Sequence, residues 1–176
     1  MSTVLAVPQY HMELIDGREV EKPLPKILHF QVERYLILEL TRLLPSMYEA
    51  GPELNILTGG FTPEGRREYI VPDVVVVSTK AKYEDGDLAE APAWGVEILS
   101  PGQTIDDLFV RAGRLLKLGC PLAWVIWPEK RQAWEYRPGS LTEKFDALVG
   151  VLPEEGLEIR VELAPLWAKL DRFAKT

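Results

Sequence analysis

The chain has 176 residues, of which 47% are hydrophobic and 27% charged, a balance that excludes a disordered chain and fits a single domain. Its formal net charge of −7 disfavours a protein that coats nucleic acid without specificity, because Lys and Arg must neutralise the phosphates. No apolar run approaches the roughly 20 residues that span a bilayer, and Cys120 with two histidines cannot form a structural zinc site. We therefore expect a cytoplasmic protein with no membrane partner.

The N-terminal part of the chain predicts a β-hairpin followed by a long helix. Two short β-prone runs within residues 12–22 flank Asp16-Gly17, which is a strong hairpin-turn signal. Residues 26–44 then repeat apolar side chains at helical spacing. His29 lies on the apolar face near the start of this helix, where a polar group indicates either a buried hydrogen-bond network or a site.

The middle of the chain predicts three strands and a loop. Residues 54–60 suggest a strand that ends at a glycine pair, and Tyr69 to Val77 reads as a strand with Pro72 near its start or at a bulge. Residues 80–92 are polar and acidic and therefore predict a loop. Residues 93–99 are again apolar and predict another strand.

The second half of the chain predicts one helix, a buried strand with its hairpin partner, and a short tail. Thr104 and Asp107 resemble a capping box at the start of the helix, and Gly119 signals its end. The remaining elements are predicted as strands at 122–127 and 132–137, one or two short strands around 144–149 and 157–161, and a helical turn around 165–173. This order indicates an α/β or α+β domain with a mixed β-sheet flanked by helices.

Two carboxylates interrupt these apolar strands. Asp73 lies within IVPDVVVV and Glu97 within WGVEIL, where an ionised side chain is costly unless something compensates its charge. Either residue alone could be a strand-end position that faces water. Two of them in adjacent strand candidates favour a shared divalent cation. Gly95 leaves space beside Glu97, and Ser100 follows the strand, so we expect Glu97 near a strand end.

One cation on the following helix is a third candidate. Arg111 is one turn from Leu108 and one turn from Leu115, both on the apolar stripe, so it leans toward the core. The alternative is that Arg111, Arg114 and Lys117 together form a solvated basic face with apolar stems.

Several motifs, in this order and spacing, resemble those of the Uma-type putative restriction endonucleases, a bacterial family with the PD-(D/E)XK nuclease fold. The resemblance runs from about Glu13 to Pro138, and its motifs are ELIDG, His29 opening the first long helix, VPDVVVV, VEILSP, a short helix and LGCPLAWVIWPEKRQAWEYRP. It implies that residues 1–176 form a single nuclease-like domain with a restriction-endonuclease-like sheet.

The resemblance also implies metal-dependent hydrolysis of a phosphodiester bond in DNA. Asp73 and Glu97, with the backbone carbonyl of Ile98, are expected to bind Mg²⁺ or Mn²⁺. Arg111 occupies the position of the family's displaced lysine. Arginine stays protonated at all physiological pH values, which excludes a role as general base, so we expect Arg111 to contact phosphate instead.

Other roles and readings stay open at this point. His29 and Glu33, one turn apart, are candidates for orienting water or substrate, and the alternative is a buried helix-start hydrogen bond beside a surface glutamate. The lysine-to-arginine change and the acidic charge also fit a catalytically lapsed domain that binds nucleic acid or protein. An unrelated α/β interaction protein would place Asp73 and Glu97 far apart. We expect a two-fold homodimer.

Overall fold

The fold is a mixed α+β arrangement of sheets and helices, seen in a computed structural model that describes residues 10–23 and 26–173. Within these residues the strands are β1 (Tyr10–Ile15), β2 (Arg18–Pro23), β3 (Tyr48–Pro52), β4 (Ile56–Phe61), β5 (Arg67–Ile70), β6 (Val74–Ser78), β7 (Tyr83–Glu84), β8 (Asp87–Leu88), β9 (Trp94–Ile98), β10 (Ala123–Trp127), β11 (Gln132–Arg137), β12 (Ser140–Lys144), β13 (Ala147–Val151) and β14 (Glu158–Glu162). The helices are α1 (Ile27–Leu43), α2 (Ile105–Lys117) and α3 (Leu163–Leu170).

The strands form two six-stranded sheets and one two-stranded sheet. The hairpin sheet has the order β2-β1-β5-β4-β8-β7, and the central sheet has the order β12-β11-β10-β9-β6-β3. Strands β13 and β14 pair with each other. Both large sheets are mixed: β4 is parallel to β8, β9 is parallel to β10, and the other pairs are antiparallel. The predicted fold class is confirmed, and the described strands are divided among three sheets where one mixed sheet was expected.

The prediction of one strand from Tyr69 to Val77 is wrong, because the structure has two strands there. The segment divides into β5 of the hairpin sheet and β6 of the central sheet, and residues 71–73 connect them. Pro72 lies in this connection and has no backbone N–H to donate to a ladder, so neither sheet can continue through it. Asp73 therefore does not lie inside a strand. It immediately precedes β6.

Helices α1 and α2 pack on the central sheet through the faces that the sequence predicts, whereas α3 packs on α1 and β13. Helix α1 buries His29 with its apolar stripe, and α2 buries Leu108, Ala112 and Leu115. Helix α2 joins the parallel strands β9 and β10, which makes a βαβ unit, and its start carries the predicted capping box. Within the described ranges, no helix is long and apolar enough to cross a membrane.

Other expectations need smaller corrections. Strand β3 is absent from the sequence prediction, and the predicted loop at 80–92 contains the two-residue strands β7 and β8. Strand β11 has the predicted bounds, whereas the tail holds three strands, β12 to β14, instead of one or two. Two-residue strands leave no periodic pattern in a sequence, because period 2 needs several residues to be visible.

We predict that Gly150 is required for the fit of β13 against the central sheet. A Cβ at Gly150 would lie 2.7–2.9 Å from three atoms of the buried Trp94 indole, so Gly150→Ala should lower the free energy of unfolding by about 1–3 kcal/mol. Gly51→Ala in β3 is the control, because its Cβ meets no atom within 4 Å. Urea denaturation measures both variants, and equal unfolding midpoints would contradict the packing seen here.

Candidate active site: a buried cluster of carboxylates around Arg111

Asp73 and Glu97 lie at the same end of two neighbouring antiparallel strands. The pairing of β6 with β9 ends at Val74 and Val96, and each carboxylate is one residue beyond that pair. The backbone N–H of Asp73 donates to the carbonyl of Val96 at 3.0 Å. The exposed fractions of Asp73 and Glu97 are only 2% and 3%. The distant placement expected of an unrelated fold is therefore not found.

The carboxylate of Asp73 is held by the backbone of β9 and approached by α1. Its Oδ2 accepts a hydrogen bond of 2.6 Å from the N–H of Ile98. Its Oδ1 lies 3.2 Å from Nε2 of His29, which is itself buried. Nδ1 of His29 lies 3.7 Å from Oε2 of Glu33, one turn further along α1. His29 thus contacts Asp73 directly, and Glu33 approaches the other nitrogen of the same imidazole.

Helix α2 determines what Glu97 contacts. A Cβ on Gly95 would lie 2.7 Å from Cδ1 of Leu115, so Gly95 admits the helix, and the space expected beside Glu97 is filled by α2. Two residues along a strand advance about 6.6 Å and four residues along a helix about 6 Å. When Leu115 packs on Gly95, Arg111 is therefore level with Glu97.

The guanidinium of Arg111 bridges two carboxylates and one backbone carbonyl. Nε donates to Oε2 of Glu97 at 2.9 Å, and Nη1 donates to Oε2 of Glu13 at 2.5 Å. Nη2 donates to Oε1 of Glu13 at 2.8 Å and to the carbonyl of Val71 at 3.2 Å. This is a bidentate arginine–carboxylate pair with a second carboxylate on the same cation.

Electrostatics keep this cation charged although it is buried. Burial alone would lower the pKa of Arg111, but the charges of Glu97 and Glu13, and its hydrogen bonds to both, outweigh burial and raise that pKa. Only 10% of the Arg111 side chain is exposed, so the alternative of a solvated basic face is wrong for this residue. Arg114 is half-buried and Lys117 is exposed.

Glu13 belongs to the site and was missed by sequence reasoning. It lies on β1 with 1% exposure, and its Oε1 also accepts the N–H of Val71 at 2.8 Å. The available signal was the same as for Asp73 and Glu97, because Glu13 interrupts the apolar run MELI. The run is short and precedes a turn, so the sequence alone indicated a half-exposed strand of the hairpin.

The donor chemistry of the site suits a hard divalent cation. Asp73 and Glu97 offer carboxylate oxygens, and Mg²⁺ is typically held by one or two carboxylates together with water. Two buried carboxylates, Glu13 and Glu97, pair with Arg111, and a third, Asp73, lies one residue before β6, so the site holds more carboxylates than guanidinium groups and an added cation would offset negative charge. Within residues 10–23 and 26–173, however, no group of three or more His, Cys, Asp or Glu side chains is arranged to hold a metal ion.

Comparisons with known proteins agree with this architecture. A family model described as "Uma2: Putative restriction endonuclease" matches residues 3–165. A crystal structure described as a putative nuclease belonging to DUF820, from Anabaena variabilis, superposes with a TM-score of 0.73 and 24% sequence identity. The match covers 94% of each chain, and at this identity it shows the shared fold alone. No curated protein matches the sequence.

We predict that Arg111→Met lowers the free energy of unfolding by about 3–5 kcal/mol, because it leaves two buried carboxylates without their cation. Adding Glu13→Gln to this variant should restore part of the loss, since one of those charges is removed. Chemical denaturation measures all three proteins. Arg42→Met, in an exposed pair with Glu39, is the matched control and should change stability little. An equal effect at both arginines would refute the buried bridge.

Proposed function

We propose that this chain, which belongs to the Uma2 putative restriction endonuclease family, is a metal-dependent endonuclease that hydrolyses phosphodiester bonds in DNA. The observation that carries the proposal is the placement of Asp73 and Glu97, both buried, just beyond the last pair of β6 and β9. Buried carboxylates at the end of a sheet, beside one fixed cation, form a site that favours further positive charge.

In this proposal Asp73, Glu97 and the backbone carbonyl of Ile98 hold Mg²⁺ or Mn²⁺. When bound, such an ion lowers the pKa of a water molecule and stabilises negative charge on the phosphate oxygens. The protein's own contribution is to fix the ligands. The Ile98 N–H orients Asp73 at 2.6 Å, and Arg111 orients Glu97 at 2.9 Å.

The remaining side chains act around these ligands. We propose that His29, 3.2 Å from Asp73, is a positioning residue for that carboxylate, with Glu33 in turn 3.7 Å from the imidazole. Arg111 has four hydrogen bonds to protein groups, and a guanidinium has five N–H donors. A phosphate contact by Arg111 therefore uses the remaining Nη1 donor or replaces Glu13.

A second candidate function follows from the same arginine. The guanidinium already lies between Glu13 and Glu97, where it supplies positive charge to the site without any metal. A domain of this construction can serve as a nucleic-acid or protein-binding module that has lost hydrolysis. The two candidates differ in one property, because only the nuclease requires a divalent cation at Asp73 and Glu97.

We also propose that the nuclease works as a two-fold homodimer, since cleavage of both strands of a duplex suits two symmetric sites and two-fold dimers are the commonest oligomers. Light scattering of the purified chain tests this proposal, and a monomer at all concentrations would contradict it.

We predict that Asp73→Asn and Glu97→Gln each reduce DNA cleavage with Mg²⁺ or Mn²⁺ by roughly a hundredfold or more, because losing a few kcal/mol of transition-state stabilisation has that effect. Glu135→Gln is the control: this buried glutamate lies on β11 and accepts the Val149 N–H, away from the site. It should cleave as wild type does. Equal cleavage by all four proteins would remove Asp73 and Glu97 from the reaction.

We predict that wild type binds Mn²⁺ and that Asp73→Asn binds it more weakly, as measured by calorimetry. This experiment separates the two candidates, because it does not depend on finding the correct DNA substrate. A wild-type protein that neither binds Mn²⁺ nor cleaves DNA, but still binds DNA, would support the binding module and refute the nuclease.

A further inference from the structure

Helix α2 carries a row of three cations that begins at the site. Arg111, Arg114 and Lys117 are three residues apart, so successive members are neighbours on the helix surface. Arg111 is paired with Glu13 and Glu97. In the part of the chain that the structure describes, Arg114 and Lys117 form no ion pair with a carboxylate. Their charges are therefore available to a ligand.

Two adjoining grooves run along this row. One has a volume of about 360 Å³ and is lined by Arg111, Arg114, Gly102 and Gln103, among others. The next has a volume of about 290 Å³ and is lined by Arg114 and Lys117 on the helix side. Arg114 lines both, so the two grooves meet at this residue, and we call the pair the hairpin groove.

The N-terminal hairpin forms the opposite wall of the hairpin groove. Val20 and Glu21 on β2 line the first part, and Ile15 and Asp16 line the second. This wall is fastened to α2 by the buried pair between Glu13 and Arg111. The width of the groove is thus fixed by the fold, because the ion pair between Glu13 and Arg111 sets the distance between its two walls.

The groove leads to the carboxylates. Arg111 lines its first part and lies 2.9 Å from Glu97, so a ligand beside Arg111 is one side chain away from the site. Gly102, which follows the end of β9 by four residues, lines the same part. An extended ligand that enters past Lys117 and Arg114 therefore approaches Glu97.

The acidic residues of the groove are four, and two of them are engaged by backbone groups. Asp107 accepts the Thr104 N–H at 2.9 Å within the capping box, and Glu68 accepts the N–H of Gly17. Asp16 and Glu21 lie on the hairpin wall, across from the cations of α2. Asp107, in the first turn of α2, is the one acidic lining residue on the helix side, so beyond it the helix presents the positive charges of Arg114 and Lys117 to a negatively charged ligand.

We infer that the hairpin groove binds one phosphodiester strand of the nucleic-acid substrate, with Arg114 and Lys117 each contacting a phosphate and guiding the strand to Asp73 and Glu97. The inference rests on the proposed function, because it assigns substrate contacts to that site. Arg114 and Lys117 are separated by about 4.5 Å along the helix axis, and their long side chains extend that reach to neighbouring phosphates.

The test measures binding of a fluorescein-labelled single-stranded DNA of about 16 nucleotides by fluorescence polarisation, without divalent metal and at several salt concentrations. We predict that Arg114→Gln/Lys117→Gln weakens binding roughly 10- to 30-fold at about 0.1 M salt and lowers the slope of log K against log salt by about 1.4, since each phosphate contact contributes about 0.7.

The matched control is Lys80→Gln/Lys82→Gln, which removes the same charge from exposed positions beyond the other end of β6. It should bind nearly as wild type does. The inference is overturned if the groove variant keeps the wild-type slope, if the control loses as much, or if wild type does not bind. A groove variant that only melts at a lower temperature shows a role in stabilising the end of α2 instead.

Cleavage by the same proteins keeps the two proposals apart. If wild type cleaves DNA and the groove variant binds and cleaves equally well, the groove inference fails and the nuclease proposal stands. If no protein cleaves but the groove variant alone loses affinity and salt dependence, the nuclease proposal fails, and the groove is still supported as the DNA contact surface.

Discussion

The bridge from Arg111 to Glu13 and Glu97 is the interaction on which the rest of the structure depends. It joins α2 to β1 of the hairpin sheet and to β9 of the central sheet, and it also contacts the Val71 carbonyl between the two sheets. A buried cation with one carboxylate would need other polar partners. Here two carboxylates and a carbonyl satisfy four of its donors, so the ion pairs fix how the elements meet.

The connection between the two large sheets, residues 71–73, explains why the carboxylates of the site lie at this point. Pro72 ends the ladder because it has no N–H, and Asp73 supplies a side-chain acceptor for the Ile98 N–H. Glu13 accepts the N–H of Val71 on the other side. The connection is thus held by side chains in addition to the backbone bond from Asp73 to Val96, and this gathers carboxylates at one place.

Much of this arrangement was predictable from local pattern. The two long helices, the capping box at Thr104, the hairpin turn and most strands of the central sheet are visible as periodicity and turn signals. The carboxylates at Asp73 and Glu97 are visible because charge inside an apolar run is costly. The split of one apolar run between two sheets is not visible, because the residues from Tyr69 to Val71 before Pro72 and from Val74 to Val77 after it all favour a strand.

The sequence by itself determined which residues are out of place in apolar surroundings, because the cost of burying charge depends on residue type and immediate neighbours. Only the tertiary structure decided how those charges are compensated. Glu13 is 98 residues from Arg111, and no local pattern encodes a pairing at that separation. Whether Arg111 points to solvent or to Glu97 depends on Leu115 packing against Gly95, a contact between a helix and a strand that forms only when the chain folds.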